Sequence, residues 1–367
     1  MEVRAKKALG QHFLCDLTIA QKIVDALSPS STKQETPLHP LGGTGGVPPE
    51  TPCVTPRRDT PDPQTEEGTV SPDRGRPWSR EREGPAPSGV GGMSEAKSGE
   101  AAPSADSDRS EATQGARGER PPYSEGDGHR VPRDVLEIGP GMGVLTQYLL
   151  QRHDIDLKLV ELDGESVDYL LTHFPGMQGR LYQADYLRLD IHRLFPGPYR
   201  VIGNFPYNIS SQIFFKILDD KDRIPEVVCM IQKEVAERIA EQPGSKTYGI
   251  LSVLLQAWYD IEYLFTVDSG AFAPPPKVQS AVIRLRRNGR TDLGCDEKLF
   301  KTVVKTAFNQ RRKTLRNALK PLLPEGFDAS DPVFDLRAER LGVEDFVALL
   351  KIIPADHLDR PVGKLFV

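Results

Sequence analysis

The short apolar run Val135-Leu136-Glu137-Ile138 breaks into Gly139-Pro140-Gly141-Met142-Gly143, and helical spacing resumes from Val144. This strand, glycine turn and helix restrict the fold of the 367-residue chain more than any other stretch. Glycines let a backbone turn sharply and approach a ligand closely, and in an open α/β sheet the ligand crevice lies at the carboxyl ends of the strands. A dinucleotide fingerprint reads G-x-G-x-x-G, whereas here the third glycine comes one residue early and Val144 follows it. A second run, Leu157 to Asp163, follows after one helix and puts Glu161 where an acid binds ribose hydroxyls in a βαβ nucleotide fold. Gln183-Ala184-Asp185-Tyr186 follows a further helical stretch. The pattern predicts an α/β domain with a mostly parallel sheet and strands near 135, 157, 181, 200, 227, 258 and 279.

Gly203-Asn204-Phe205-Pro206-Tyr207-Asn208 carries the chemistry. Proline fixes its own φ, removes one donor and restricts its predecessor, so the turn can aim carbonyl oxygens outward beside the Asn204 amide. Two acceptors facing the two hydrogens of an exocyclic amine draw its lone pair out of conjugation, and Tyr207 offers an aromatic face to the base. The motif therefore points to a nucleic-acid base as substrate. Alone, it also fits a strand-to-loop turn with a buried Asn and a core aromatic. Glu161 and Asp185 alone could equally be solvated acids at strand ends.

Taken together, these segments resemble the ribosomal RNA adenine dimethyltransferases, the family of the bacterial kasugamycin-sensitivity enzyme. Glu137 and the G-x-G-x-G spacing look like the S-adenosylmethionine loop of class I methyltransferases. Lys6-Lys7-Ala8-Leu9-Gly10-Gln11-His12-Phe13-Leu14 resembles the family's opening segment, with His12 where Asn is also common. The Asn204 to Ser210 segment has Phe205 in place of the more usual Leu. Gln232 to Val235, Tyr248-Gly249 and Phe272 to Val282 complete a resemblance covering residues 1 to 28 and 134 to about 350.

The resemblance implies a class I S-adenosylmethionine-dependent methyltransferase: a Rossmann-like seven-stranded sheet, its last strand (Val278 to Arg286) antiparallel, with a small carboxy-terminal helical domain. It places His12, Leu14, Gly139, Glu161, Asp185 and Asn204 around S-adenosylmethionine, with Asp185 near the adenine amino group of the cofactor. Asn204, Pro206 and Tyr207 are then the catalytic residues that hold the target adenine. The implied reaction transfers methyl groups to N6 of two adjacent adenines in the 3′-terminal hairpin of 16S rRNA, in the immature small ribosomal subunit. No metal is needed, because the sulfonium leaving group is already activated and the protein mainly aligns the reactants.

The domains read as 1–28 plus 134–288 for catalysis and 289–367 for RNA binding, with an insertion over 29–133. Between Pro29 and Pro132 lie roughly half of the 32 prolines and 32 glycines, many serines and hardly any aromatics. This composition predicts disorder. Growing a surface connection from a few residues to about a hundred costs roughly 2 to 3 kcal/mol, since closure rises about 0.6 kcal/mol per doubling. The segment reads as a linker-like insertion, with a tethered binding arm as the alternative.

The net charge of −5 resides between Pro29 and Pro132, which carry 12 Lys and Arg against 17 Asp and Glu and leave the rest of the chain near neutral. RNA binding must then rest on local patches. From Lys301 to Lys320, Lys and Arg recur without an acid, while Val304, Phe308, Leu315 and Leu319 lie close to helical spacing. The segment predicts helices with one buried and one basic face, and Arg311, Arg312, Lys313 and Arg316 are the candidate phosphate contacts. Its Ala307 to Asn317 part resembles the small-subunit branch of the family.

Cys15, Cys53, Cys229 and Cys295 lack metal or disulfide spacing. The longest apolar stretch, Ile250 to Tyr259, is too short to span a bilayer. The cofactor pattern begins within ten residues of Met1, which argues against a leader. The expectation is a cytoplasmic monomer that makes no membrane contact. Three other functions stay open: a macrolide-resistance enzyme acting on large-subunit RNA, a non-catalytic ribosome assembly factor, and a nicotinamide oxidoreductase, for which the glycine spacing is wrong.

Overall fold

The computed structural model describes Lys6, residues 12–30 and residues 131–354. The expected disorder of the insertion concerns residues almost all of which lie outside these. In chain order the elements are β1 (Phe13–Leu14), α1 (Leu17–Asp25), β2 (Asp134–Ile138), α2 (Thr146–Leu149), β3 (Asp156–Glu161) and α3 (Gly164–His173). Then come β4 (Leu181–Gln183), β5 (Arg200–Asn204), α4 (Ser210–Asp219), β6 (Glu226–Gln232), α5 (Lys233–Ala240) and α6 (Ile250–Gln256). The last are β7 (Tyr259–Val267), β8 (Phe272–Ala273), β9 (Ser280–Arg287), α7 (Glu297–Asn309), α8 (Leu315–Ala318) and α9 (Val343–Ile352).

Seven strands form one sheet in the order β4-β3-β2-β5-β6-β9-β7. The first five pair in parallel, and β9 is antiparallel to both neighbours, as expected. The chain winds outward through β2, β3 and β4, then returns to place β5 on the other side of β2. This reversal opens a crevice at the carboxyl ends of β2 and β5, beside Gly139 and Asn204.

Strands buried on both faces read as continuous apolar runs, and their alternate residues enter two different cores. Val227, Cys229 and Ile231 of β6 join one cluster, while Val228 and Met230 join the other. The second cluster packs α1 and α2 against the sheet. The first continues through α4, α5 and α6 into Phe300, Val304, Leu315 and Phe346 of the carboxy-terminal helices. As the spacing predicts, Val304, Phe308, Leu315 and Leu319 are buried, whereas Lys301 and Lys305 stay at the surface.

One element has no counterpart in the sequence pattern. Phe13 and Leu14 pair antiparallel with Ala273 and Phe272, forming a separate two-stranded ribbon, β1-β8. Two residues per strand are too few to show a period of two.

The segment after α1 is fixed at the amino ends of the strands, away from the crevice. Arg200, fully buried at the start of β5, donates to the Ser28 carbonyl and to Ser30 Oγ. Glu226 at the start of β6 accepts from the Ser28 amide and hydroxyl, and Arg152 donates to the Leu27 and Ser28 carbonyls. Ser30 Oγ lies 3.4 Å from the Pro132 carbonyl oxygen, so the insertion leaves and rejoins the fold at one point. Excising residues 31 to 131, with Gly-Gly in their place, should therefore preserve activity and raise stability by at most roughly 2 to 3 kcal/mol. Urea unfolding and a methyl-transfer assay check this; loss of RNA binding by a folded deletion variant would assign the segment a binding role.

Candidate active site

A cavity of about 210 Å³ opens at the β2–β5 crevice. All eight candidate cofactor and catalytic residues line it: His12, Leu14, Gly139, Glu161, Asp185, Asn204, Pro206 and Tyr207. They come from five separate segments, and the winding of the sheet brings them together.

Its floor is the glycine turn, where Gly139, Gly141 and Gly143 all have positive φ, a region that disfavours side chains. Gly203 is constrained differently: a Cβ there would stand 2.5 Å from the Ile138 carbonyl oxygen, so β5 can pass β2 this closely only as glycine. That close passage sets Asn204 beside the turn.

Glu161 closes the β3 side. Its Oε1 accepts the Leu162 and Asp163 amides, both at 2.9 Å, and its Oε2 accepts the Gly141 amide at 3.0 Å. Burial pushes its carboxyl above the ordinary value against the pull of these three N–H groups. A carboxylate has about four lone-pair sites, so three backbone bonds leave capacity for a ribose hydroxyl. Asp185 is half-buried, accepts the Leu187 amide at 2.9 Å and also lines the cavity. Lys6 is ion-paired to Asp163 and, at 3.0 Å, to Glu165, at the amino end of α3.

On the β5 side, Asn204 Nδ2 donates to the His12 carbonyl at 3.1 Å. The partner is an acceptor, so the amide nitrogen must face it, and Oδ1 is left as the free acceptor. The Tyr207 hydroxyl shares a hydrogen bond with Ser280 Oγ, and the His12 ring stacks on Tyr207 at 5.5 Å between centroids. His12 Nδ1–H donates to the Pro274 carbonyl at 2.9 Å, and the Cys15 amide donates to the Ala271 carbonyl at 2.7 Å. The amino-terminal segment is thus laced to the β8 ribbon and forms one wall of the site.

Sequence reasoning named Glu137 as the acid before the loop but gave it no role. It lines the cavity, is 1% exposed and accepts the Thr146 hydroxyl at 2.7 Å. Burial pushes its carboxyl up to about 8, the Thr146 bond opposing and Glu161 adding to the rise. Between the ordinary value of 4.5 and about 8, the unfolded chain releases a proton that the folded chain keeps, so stability falls as pH rises through this window. Glu137→Gln should therefore match the parent near pH 5 and exceed it in stability at pH 8. Urea unfolding at both pH values checks this; an equal difference at each would mean that Glu137 is ionised throughout. Phe13, quoted in the opening segment but given no role of its own, packs against Gly141.

The four candidate RNA contacts divide into two pairs. Arg311 donates to the Lys246 carbonyl and lies 3.7 Å from Glu339, and Arg316 pairs with Asp335 at 2.7 Å. Arg312 and Lys313 are exposed, and among the described residues neither makes an ion pair.

The family described as ribosomal RNA adenine dimethylase matches residues 132–353, more than half of the chain. The chain belongs to that family. Ribosomal RNA small subunit methyltransferase A of Parabacteroides distasonis is 65% identical over 232 residues, covering 62% of this chain and 86% of that one. The protein of the same name from Cytophaga hutchinsonii is 56% identical over 225 residues, 61% and 87% of the two chains. A crystal structure of a dimethyladenosine transferase from Plasmodium falciparum, 24% identical, covers 60% of this chain and 90% of its own with a TM-score of 0.50, and it shares the fold. As a member of this family the chain is an S-adenosylmethionine-dependent rRNA adenine dimethyltransferase. The glycine turn and the unsaturated Glu161 carboxylate fit that cofactor.

Proposed function

We propose that this enzyme converts two adjacent adenines in the 3′-terminal hairpin of 16S rRNA to N6,N6-dimethyladenine, acting as a cytoplasmic monomer on the immature small subunit. The observation that carries the reading is the fixed Asn204 amide, whose Oδ1 is held as an acceptor beside the glycine turn. Relatives named for the small subunit, at 56–65% identity, support the choice of subunit.

Glu161 would hold the ribose hydroxyls of the cofactor and Asp185 its adenine amino group, and the Gly139 turn would let it approach the backbone closely. His12 and Leu14 close the methionine end. S-Adenosylmethionine supplies an activated methyl group on a sulfonium. Asn204 Oδ1 and the backbone carbonyl oxygens of the Asn204–Pro206 turn accept the two N6 hydrogens of the target, and Tyr207 stacks on its ring. Held in this way, the N6 lone pair would face the methyl group that the cofactor supplies, with the neutral thioether as leaving group. The N6 proton leaves to water, and the protein contributes mainly alignment. A second transfer completes each adenine.

Residues 1–28 and 134–288 form the catalytic part in this reading, and 289–367 grip RNA through the exposed Arg312 and Lys313, with Arg311 and Arg316 exchanging their present partners for phosphate. No helix among the described residues is long and apolar enough to cross a membrane. The test is incubation with labelled S-adenosylmethionine and undermethylated small or large ribosomal subunits, followed by mapping of the modified nucleosides. Dimethyladenine in the small-subunit 3′ hairpin is expected. Label confined to large-subunit RNA would place the enzyme on the resistance branch, and cofactor binding without transfer would favour an assembly factor.

A further inference from the structure

We propose that Ser280 is a positioning residue for methyl transfer, fixing the long axis of the Tyr207 ring through the hydrogen bond between their hydroxyls. The proposal rests on the reading of Tyr207 as the platform for the target base. Tyr207 lies in the loop between β5 and α4, and nothing in a loop by itself fixes the direction of its ring. Its phenolic oxygen meets Ser280 Oγ, and Ser280 is fully buried at the first position of β9. The backbone of Ser280 is paired on both sides, opposite Gln232 of β6 and Val267 of β7. The tip of the ring is thereby tied to the interior of the sheet.

A bond at the tip fixes the long axis of the ring and leaves rotation about that axis. The His12 ring, stacked at 5.5 Å with 27° between the planes, limits this remaining freedom. His12 is itself held by Pro274, six residues before Ser280. The loop aromatic is therefore braced from the segment leading into β9 at its tip and at one face. Transfer depends on the target amine lying in line with the donor methyl, and small displacements of a reactant are costly to rate. Base stacking and rate should respond to the tether, while affinity for the cofactor, held by Glu161 and the glycine turn, should not.

The experiment compares Ser280→Ala, Ser280→Thr, Tyr207→Phe, Tyr207→Ala and the double variant Ser280→Ala/Tyr207→Phe. Each is assayed for single-turnover methyl transfer on undermethylated small subunits, cofactor Kd and melting temperature. Ser280→Ala should lower the transfer rate about ten-fold, the effect of one buried hydrogen bond, with Kd unchanged. Ser280→Thr, which keeps the hydroxyl, should recover most of the rate. The double variant should be no slower than the slower single variant, because both substitutions remove the same bond. An unchanged rate for Ser280→Ala beside an inactive Tyr207→Ala would overturn the tether and leave the platform standing. Multiplying losses in the double variant, or a lowered melting temperature with full activity well below it, would also overturn the tether. Full activity of Tyr207→Ala would remove the platform reading and the tether with it.

Discussion

Asn204→Ala should lose methyl transfer, by at least 10²-fold in rate, while the cofactor still binds with its affinity changed by less than about ten-fold. In the proposed reading, alanine removes the side-chain acceptor for the target amine. Glu161 and the Gly141 amide that it accepts lie on β3 and the glycine turn and are untouched. Asn204→Asp is the sharper variant. It retains an acceptor but loses the donor to the His12 carbonyl, so a carboxylate oxygen is set against a carbonyl oxygen. The carboxylate should rotate or displace the amino-terminal segment, and the rate should again collapse. Calorimetric cofactor binding beside single-turnover transfer separates the two effects. Near-normal turnover of either variant would refute the acceptor role.

The largest stability loss should come from Arg200→Ala, roughly 3 to 5 kcal/mol. Arg200 is 0% exposed, and its partner Glu226, 3.7 Å away, is 5% exposed. Removing the guanidinium leaves that carboxylate without its nearest buried cation and the Ser28 carbonyl without one of its donors, in a site that water reaches poorly. A loss of this size corresponds to roughly 6 to 10 °C in melting temperature for a domain of about 250 residues. Pairing the substitution with Glu226→Gln removes the stranded charge and should restore part of the loss. Cofactor affinity below the melting transition should be unchanged, since the network lies at the opposite ends of the strands from the crevice. Chemical unfolding of the single and double variants provides the check, and an equal loss in both would mean that the charge on Glu226 is already compensated.

The seven strands and the cavity lining were legible because continuous apolar runs end at glycine or proline, and because ligand-facing residues sit at the carboxyl ends of parallel strands. Glu161, Asp185 and Asn204 each occupy such an end. The β1-β8 ribbon was not legible, since its two-residue strands carry no period and pair across most of the chain. Ser280 was hidden for a related reason: a buried serine beginning a strand looks like any other until its partner is known. The basic segment shows a different limit. Lys301 to Lys320 contains no acid, yet Asp335 and Glu339 fold back onto Arg316 and Arg311. A run free of acids along the chain is not free of them in space.

The lacing of the amino terminus to β8 also fixes when the enzyme can first work. His12 and Pro274 are 262 positions apart, and Asn204 is 192 beyond the carbonyl that orients it. At about 5 to 20 residues per second, synthesis keeps His12 waiting roughly 10 to 50 seconds for Pro274 to be made. Over the later part of that interval, from Glu161 onward, the glycine turn and Glu161 have already been made, but the amino-terminal segment that orients Asn204 has no ribbon partner to dock on. A nascent chain can thus acquire its cofactor-binding half well before it is competent to methylate, and competence arrives as one late event with the ribbon.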